Sequence, residues 1–202
     1  MINEITGIIL CGGKSTRMHS NKALLKIGGQ TIIEIIVAKL KLLFSNVIIS
    51  ANNTNEFAFL NLPIVSDVFA NKGPLAGIHA SLKLSNTDRN FIISCDTPLI
   101  SVQMIDFIIN YNSDKEILLP KANGKVQQLC GVYSKSVINK IERLFVSTES
   151  DKNLKGSVYE LLTKASTGFL DIEGLPYYNK NIFLNMNTPE DYELIKKIYE
   201  KQ

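Results

Sequence analysis

The residues with the clearest chemical potential follow the first apolar run of the chain. Gly12 and Gly13 come directly after a β-branched segment, and Lys14, Arg17 and Lys22 follow within ten residues. Adjacent glycines allow positive φ and a close backbone approach, so consecutive N–H groups can form an anion-binding nest. A strand end, a glycine loop and fixed positive charge therefore favour a nucleoside triphosphate as the ligand.

Two other nucleotide-binding motifs are excluded by their spacing. The segment Gly13-Lys14-Ser15 is similar to the end of a Walker A loop, but that loop needs a glycine five residues before Gly13, where the chain has Ile8. The dinucleotide motif G-x-G-x-x-G is also absent, because the two glycines are adjacent and no third follows in register. From this stretch alone, an ordinary glycine turn with solvated lysines stays open as the alternative.

Further polar residues follow later apolar runs of the chain. They are Ser50, Asn52, Asp67, Asp96, Asn185 and Asn187. Because ligands gather at the carboxyl ends of parallel strands, these side chains are expected along one edge of the sheet. Two carboxylates beside a phosphate loop suggest a hard cation, and Mg²⁺ often takes only one or two protein carboxylates, so Asp96 alone could be its main anchor. Each of these residues could instead serve only as a turn, a cap or a solvated loop residue.

The elements that must position these residues alternate between apolar strands and helices. Strands are predicted at 5–10, 47–49, 63–65, 91–93, 117–119, 127–133 and 182–184. Helices are predicted at 31–44, 74–84, 101–110, 136–145 and 157–165, with a last one starting at Thr188. This alternation predicts an α/β fold with a mainly parallel central sheet and helices on both faces.

Composition excludes several classes of protein. The 202 residues fit a single domain, and 22 basic against 19 acidic residues give a net charge of +3, too small to argue for nucleic acid or a membrane surface. The sequence shows neither a membrane span nor a signal peptide, so a cytoplasmic location is expected. Three widely spaced cysteines indicate neither a disulfide framework nor a zinc site, and no Ser/His/Asp or Cys/His set favours covalent catalysis.

Several motifs together resemble the signature of the nucleotidyltransferases that act on the molybdenum cofactor. They lie at 10–18, 21–25, 73–77, 95–98 and 185–190, in the family's order and across nearly the whole chain. The double glycine and the Gly-Pro-Leu-Ala-Gly block are similar to the corresponding motifs of the family's guanylyltransferases, which use GTP. The resemblance implies a Rossmann-like nucleotidyltransferase fold, with a nucleotide-binding half at about 1–115 and a molybdopterin-binding half at about 116–202.

The resemblance also implies an activity, which is transfer of GMP from GTP to molybdopterin with release of pyrophosphate. Mg²⁺ held by Asp96, together with Arg17 and Lys22, would stabilise the phosphate charge. The resemblance further implies that Leu10, Cys11, Gly12, Lys22, Asp67 and Asp96 bind GTP and that Asn185 and Asn187 face molybdopterin. Gly13, Ser50 and Asn52 complete the candidate substrate-binding residues. Implied protein partners are molybdenum-insertion proteins and molybdoenzyme chaperones, and a monomer or weak homo-oligomer is expected.

The chain departs from the family pattern at three positions. His19 stands where glycine is usual, Asn21 where aspartate is usual, and Ser50 where the guanine-side asparagine is usual. Asn52, on the same face as Ser50, could take over the contact with the base. A related nucleotidyltransferase that uses CTP or a sugar phosphate, and a GTP- or molybdopterin-binding module without turnover, are the competing hypotheses.

Overall fold

The computed structural model describes residues 2–12, 21–150 and 156–201 and contains a central eight-stranded sheet. The sheet strands are β1 Ile2–Leu10, β4 Phe44–Ser50, β5 Ile64–Val65, β6 Arg89–Ser94, β7 Ile117–Ala122, β8 Lys125–Val126, β9 Cys130–Ser134 and β10 Thr167–Asp171. Seven of them lie in the order β10-β7-β9-β6-β1-β4-β5, and β8 pairs with β7. Only β9 and the short β8 run against the others, so the predicted mainly parallel sheet is confirmed.

Six α-helices in the described residues cover both faces of this sheet. They are α1 Ile32–Lys41, α2 Pro74–Leu84, α3 Val102–Asn110, α4 Ile138–Ser150, α5 Val158–Lys164 and α6 Pro189–Tyr199. Side chains alternate along β1, so Ile5 and Ile9 join the core under α1, α3 and α6, while Ile8 and Leu10 join the core under α2, α4 and α5. One apolar layer on each face of a single sheet confirms the predicted α/β architecture.

Local sequence signals explain where most helices begin. Thr31 and Ser157 each form a capping box with the glutamate three residues later, and Thr188 forms one with Asp191 before the Pro189 that starts α6. Ser101 caps α3 through its bond from the Met104 N–H. These starts agree with the sequence predictions.

The predicted strand at 182–184 is wrong, because those residues form turns after β10. Ile182 and Phe183 are nevertheless buried in the core, which explains why the pattern is that of a strand. The sequence analysis missed β10 itself, since only Leu170 of its five residues is buried. The first helix also ends earlier than predicted, at Lys41, and Phe44 begins β4. A small hairpin of β2 Lys26–Ile27 and β3 Gln30–Thr31 was not predicted.

A tight turn at Asn123 and Gly124 joins β7 to β8. Asn123 has φ 52° and Gly124 has φ 69°, which is the positive-φ pair that a tight two-residue hairpin turn requires. No helix in the part of the chain that the structure describes combines the length and hydrophobicity needed to cross a membrane.

Candidate active site

The carboxyl ends of four parallel strands lie side by side. Leu10 at the end of β1 is in register with Ser50 of β4 and with Ser94 of β6, and Ser50 is in register with Val65 of β5. The polar residues that follow each strand therefore reach the same edge of the sheet, as the sequence predicts. This edge is where open parallel sheets bind their ligands.

A cleft of about 660 Å³ opens along this edge. Six residues singled out in the sequence line it, namely Leu10, Cys11, Gly12, Ser50, Asn52 and Asp67. Backbone hydrogen bonds fix the strand ends: the Cys11 N–H donates to the Ser50 carbonyl (2.8 Å), and the Cys95 N–H donates to the Leu10 carbonyl (3.0 Å). The cleft is large enough for a nucleotide, since small-molecule sites usually measure about 300–1,000 Å³.

Two hydrogen bonds join Asn52 and Asp67 in the lining of this cleft. The Asn52 Nδ2 donates to the Asp67 Oδ2 at 2.9 Å, and the Asp67 backbone N–H donates to the Asn52 Oδ1, also at 2.9 Å. This paired contact fixes the Asp67 carboxylate and leaves it free acceptor capacity, because a carboxylate has about four lone-pair sites.

Gly77, in the first turns of α2, keeps one wall of the cleft open. A Cβ at this position would lie 2.6 Å from the Ser50 Oγ and 3.5 Å from the Asp67 Oδ1. Such a Cβ would therefore occupy space between the two cleft-lining side chains. Gly73, at the start of the same helix, has φ 58°, a conformation that favours glycine.

A second, smaller cleft of about 230 Å³ holds Asp96 and Asn185. The Thr97 hydroxyl connects them: its Oγ1 lies 3.2 Å from the Asp96 Oδ1 and 3.5 Å from the Asn185 Oδ1. The Met186 N–H also donates to the Asp96 backbone carbonyl (2.9 Å), which ties the loop before α6 to the end of β6. Ser94 and Leu129 line both clefts, so the two are neighbours.

Lys22 and Asn187 also meet in the structure. The Lys22 Nζ donates to the Asn187 Oδ1 at 3.2 Å, although 165 residues separate the two along the chain. Asn185 and Asn187 are exposed on either side of the buried Met186. They lie on a loop rather than after the predicted late strand, and the Asn187 N–H donates to Asp191 of α6 (2.9 Å).

The loop that carries Asp96 is anchored to α1 by Lys39. Its Nζ donates to the carbonyls of Pro98 (2.7 Å) and Ile100 (2.9 Å). Burial lowers the pKa of the Lys39 ammonium to about 8. This half-buried cation thus fixes the turn that follows Asp96.

Cys11, at the end of β1, is a poor nucleophile. A hydrogen bond with the Cys95 thiol, together with burial, raises the pKa of the Cys11 thiol well above its ordinary value. Because the thiolate is the reactive form, Cys11 stays protonated near neutral pH and supplies packing rather than nucleophilic chemistry.

Two predicted site residues, Gly13 and Arg17, lie outside the described residues, as does the His19 departure. The clefts also contain residues that the sequence analysis did not single out, among them Glu56 in the larger cleft and Gln127 and Gln128 in the smaller one. No local motif marks them, since each reaches its cleft through chain packing rather than by following an apolar strand.

Comparison with known proteins places the chain in a family. The model of the MobA-like NTP transferase domain matches residues 7–164. The chain is 34% identical over 200 residues, 98% of each sequence, to a probable molybdenum cofactor guanylyltransferase of Carboxydothermus hydrogenoformans.

Solved structures share the fold. One is a molybdopterin-guanine dinucleotide biosynthesis protein A of Archaeoglobus fulgidus, with a TM-score of 0.81 at 20% identity, covering 98% of this chain and all of that one. Another is a manganese complex of a Mycobacterium tuberculosis protein, with a TM-score of 0.70 at 18% identity, covering 96% of this chain and 99% of that one. From the family match and the identity along its whole length, the chain belongs to the MobA-like NTP transferases.

Proposed function

We propose that this protein transfers GMP from GTP to molybdopterin and releases pyrophosphate. The observation that carries this proposal is the placement of the two clefts. The larger one collects Leu10, Cys11, Gly12 and Asp67 at the strand ends, and the smaller one beside it holds Asp96 and Asn185. The relative from Carboxydothermus hydrogenoformans, whose name states this activity, supports the same substrates.

In this proposal GTP occupies the larger cleft and molybdopterin the smaller. Asp67, fixed by Asn52, and the hydroxyl of Ser50 are the polar groups that face the base and ribose. Asn185 and the exposed Asn187 receive molybdopterin. Asp96 lines the smaller cleft two residues after Ser94, which lines both clefts, and this supports its assignment to the reacting phosphates. The smaller cleft takes residues from both 1–115 and 116–202, and the division into a nucleotide-binding and a molybdopterin-binding half stays a prediction.

The reaction is an in-line displacement at phosphorus. A terminal phosphate oxygen of molybdopterin forms a bond to the α-phosphorus of GTP, the bond between the α-phosphorus and the bridging oxygen breaks, and pyrophosphate leaves. The attacking phosphate is already anionic, so no general base is required. Lys22, which follows the cleft-lining Asn21 and donates to Asn187 at 3.2 Å, would supply an ammonium that stabilises the phosphate charge. Arg17 would add a second cation, a role that stays a prediction from the sequence.

The residues around Asp96 fit a hard divalent cation. The Thr97 hydroxyl oxygen lies 3.2 Å from the Asp96 Oδ1 and 3.5 Å from the Asn185 Oδ1, so oxygen atoms surround this point. A cation here would take oxygen from Asp96, and its other ligands would be phosphate and water, as Mg²⁺ prefers. The bound cation would neutralise charge that builds up on the phosphates. The manganese complex of a protein with the same fold is consistent with a divalent ion, and Mg²⁺ itself is the proposal.

The test is pyrophosphate release with molybdopterin and Mg²⁺, with GTP, CTP, ATP and UTP compared in parallel. Release with GTP alone that stops when the metal is chelated is the expected result. A preference for CTP would keep the chemistry but contradict the guanine assignment. GTP binding without release would show a binding module instead of an enzyme.

A further inference from the structure

A single carboxylate joins two walls of the larger cleft. Glu56 lies on a 3₁₀ helix, Thr54–Leu60, that follows β4, and it is half-buried in the cleft lining. One of its oxygens accepts a hydrogen bond from the Asn21 Nδ2, and the other accepts one from the Asn53 Nδ2 at 2.7 Å. The chain after β4 is thereby connected to the segment that begins at Asn21.

Asn21 links Glu56 to the short helix that begins at Lys22. Its Oδ1 accepts a hydrogen bond from the Ala23 N–H (3.1 Å) and caps the 3₁₀ helix Lys22–Leu24. Both ends of the Asn21 amide are therefore engaged, one by the helix and one by Glu56. The next residue is Lys22, whose Nζ donates to Asn187.

The two side chains are chemically matched. Asn21 must accept from the helix and donate to Glu56, which an amide can do and an ionised carboxylate cannot. An aspartate at this position would still cap the helix but would place two carboxylates against each other. The asparagine that departs from the resembled family pattern is thus the residue type that Glu56 requires.

We propose that Glu56 is a positioning residue for GTP binding, which acts through Asn21 to fix Lys22 at the cleft. This inference rests on the proposed function, since it assigns Lys22 to the phosphates of GTP. Glu56 itself does not touch the nucleotide in this scheme. Its effect on GTP affinity therefore depends on an intact hydrogen bond to Asn21 and on the presence of the Lys22 ammonium.

The experiment compares a set of variants by the Kd for GTP from calorimetry and by KM and kcat for pyrophosphate release. Glu56→Ala and Asn21→Asp should each raise the Kd and the KM for GTP about tenfold and change kcat less. Glu56→Gln, whose amide oxygen still accepts from Asn21, should stay within about threefold of the parent protein. The double variant Asn21→Asp with Glu56→Gln should recover the affinity that Asn21→Asp loses, because the new amide donates to the new carboxylate. Glu193→Ala, an exposed glutamate on α6, is the matched control.

A double-mutant cycle tests whether Glu56 changes the affinity for GTP through Lys22. In a Lys22→Ala background, Glu56→Ala should cause no additional loss of GTP affinity. Additive losses would overturn the proposal, as would a Glu56→Gln variant as weak as Glu56→Ala, which would show that the carboxylate contacts the nucleotide directly. The parent protein's release of pyrophosphate tests the proposed function separately, because the Kd values alone decide the role of Glu56.

Discussion

At the scale of single residues, Asp96 is the side chain on which the proposed chemistry depends most. It is the carboxylate of the smaller cleft, and Thr97, Met186 and Lys39 all hold its loop in place. Removing the carboxylate would lose the bond from the Thr97 hydroxyl but would leave the contacts of Met186 and Lys39 with the backbone intact. Its loss should therefore be seen in turnover and not in folding.

Asp96→Ala should abolish pyrophosphate release while the melting temperature stays within a few degrees of the parent protein. The reason is that the variant loses the oxygen ligand proposed for the cation, and charge stabilisation of this kind accounts for a large part of phosphoryl-transfer catalysis. The control is Asp114→Ala, because the Asp114 side chain is 92% exposed and lies outside both clefts. Near-normal GMP transfer by Asp96→Ala would remove Asp96 from the metal site.

Gly77 gives a second prediction at this scale. Gly77→Ala places a Cβ 2.6 Å from the Ser50 Oγ, so that hydroxyl must move within the cleft. GTP affinity should fall about tenfold, which corresponds to about 1.4 kcal/mol. Adding Ser50→Ala removes the atom in conflict and should restore much of the binding. If Gly77→Ala binds GTP normally, the glycine serves only the packing of α2 against the sheet.

At the scale of elements, Glu116 connects three of them. It precedes β7, and its carboxylate accepts from the Lys140 Nζ of α4 at 2.6 and 2.7 Å and from the Ser166 N–H before β10 at 2.9 Å. The bond from Lys140, followed by that from Ser166, lowers the pKa of Glu116 from 4.5 to about 2. The ionised Glu116 carboxylate thus links α4 and the start of β10 to β7.

This connection should make stability fall in acid. Between about pH 4.5 and 2 the unfolded chain binds a proton at Glu116 that the folded chain does not, so the contribution is complete above pH 4.5 and is lost as the pH falls toward 2. Glu116→Gln should cost about 1–2 kcal/mol at pH 7, since the pair is partly exposed to solvent, and this difference should shrink by pH 3. Urea unfolding at both pH values measures it, with Glu193→Gln as the control. An unchanged difference at pH 3 would contradict the assignment.

The elements that could be predicted from the sequence are those with a strong local signal. Capping boxes at Thr31 and Ser157 mark the starts of α1 and α5, and the apolar runs of β1, β4 and β6 are buried on both faces. The strand β10 could not be found in this way, because it forms one edge of the sheet and buries only Leu170. The apolar run at 182–184 was wrongly predicted as a strand for the opposite reason, because burial in a turn gives the same apolar pattern as burial in a strand.

At the scale of the whole molecule, the active site is produced by the topology of the sheet. Residues that directly follow parallel strands, such as Ser50, Asp67 and Asp96, could be predicted because register alone brings them to one edge. Glu56 and Gln127 could not, since a 3₁₀ helix and the segment between β8 and β9 carry them there through tertiary packing. The smaller cleft in particular takes residues from distant parts of the sequence.

Ligand binding at this shared edge should therefore stabilise the whole fold. GTP at 100 times its Kd, with Mg²⁺ present, adds about 2.7 kcal/mol if only the folded chain binds it, and for a chain of this size that raises the melting temperature by roughly 5–10 °C. CTP at the same concentration should give a much smaller shift, and Gly77→Ala should reduce the shift with GTP while Glu193→Ala should not. Equal shifts with GTP and CTP would mean that Ser50 and Asp67 do not select the base. A shift with GTP alone would show that a cleft with serine at the usual asparagine position still distinguishes guanine, because the strand ends and the Asn52–Asp67 pair supply the selective contacts.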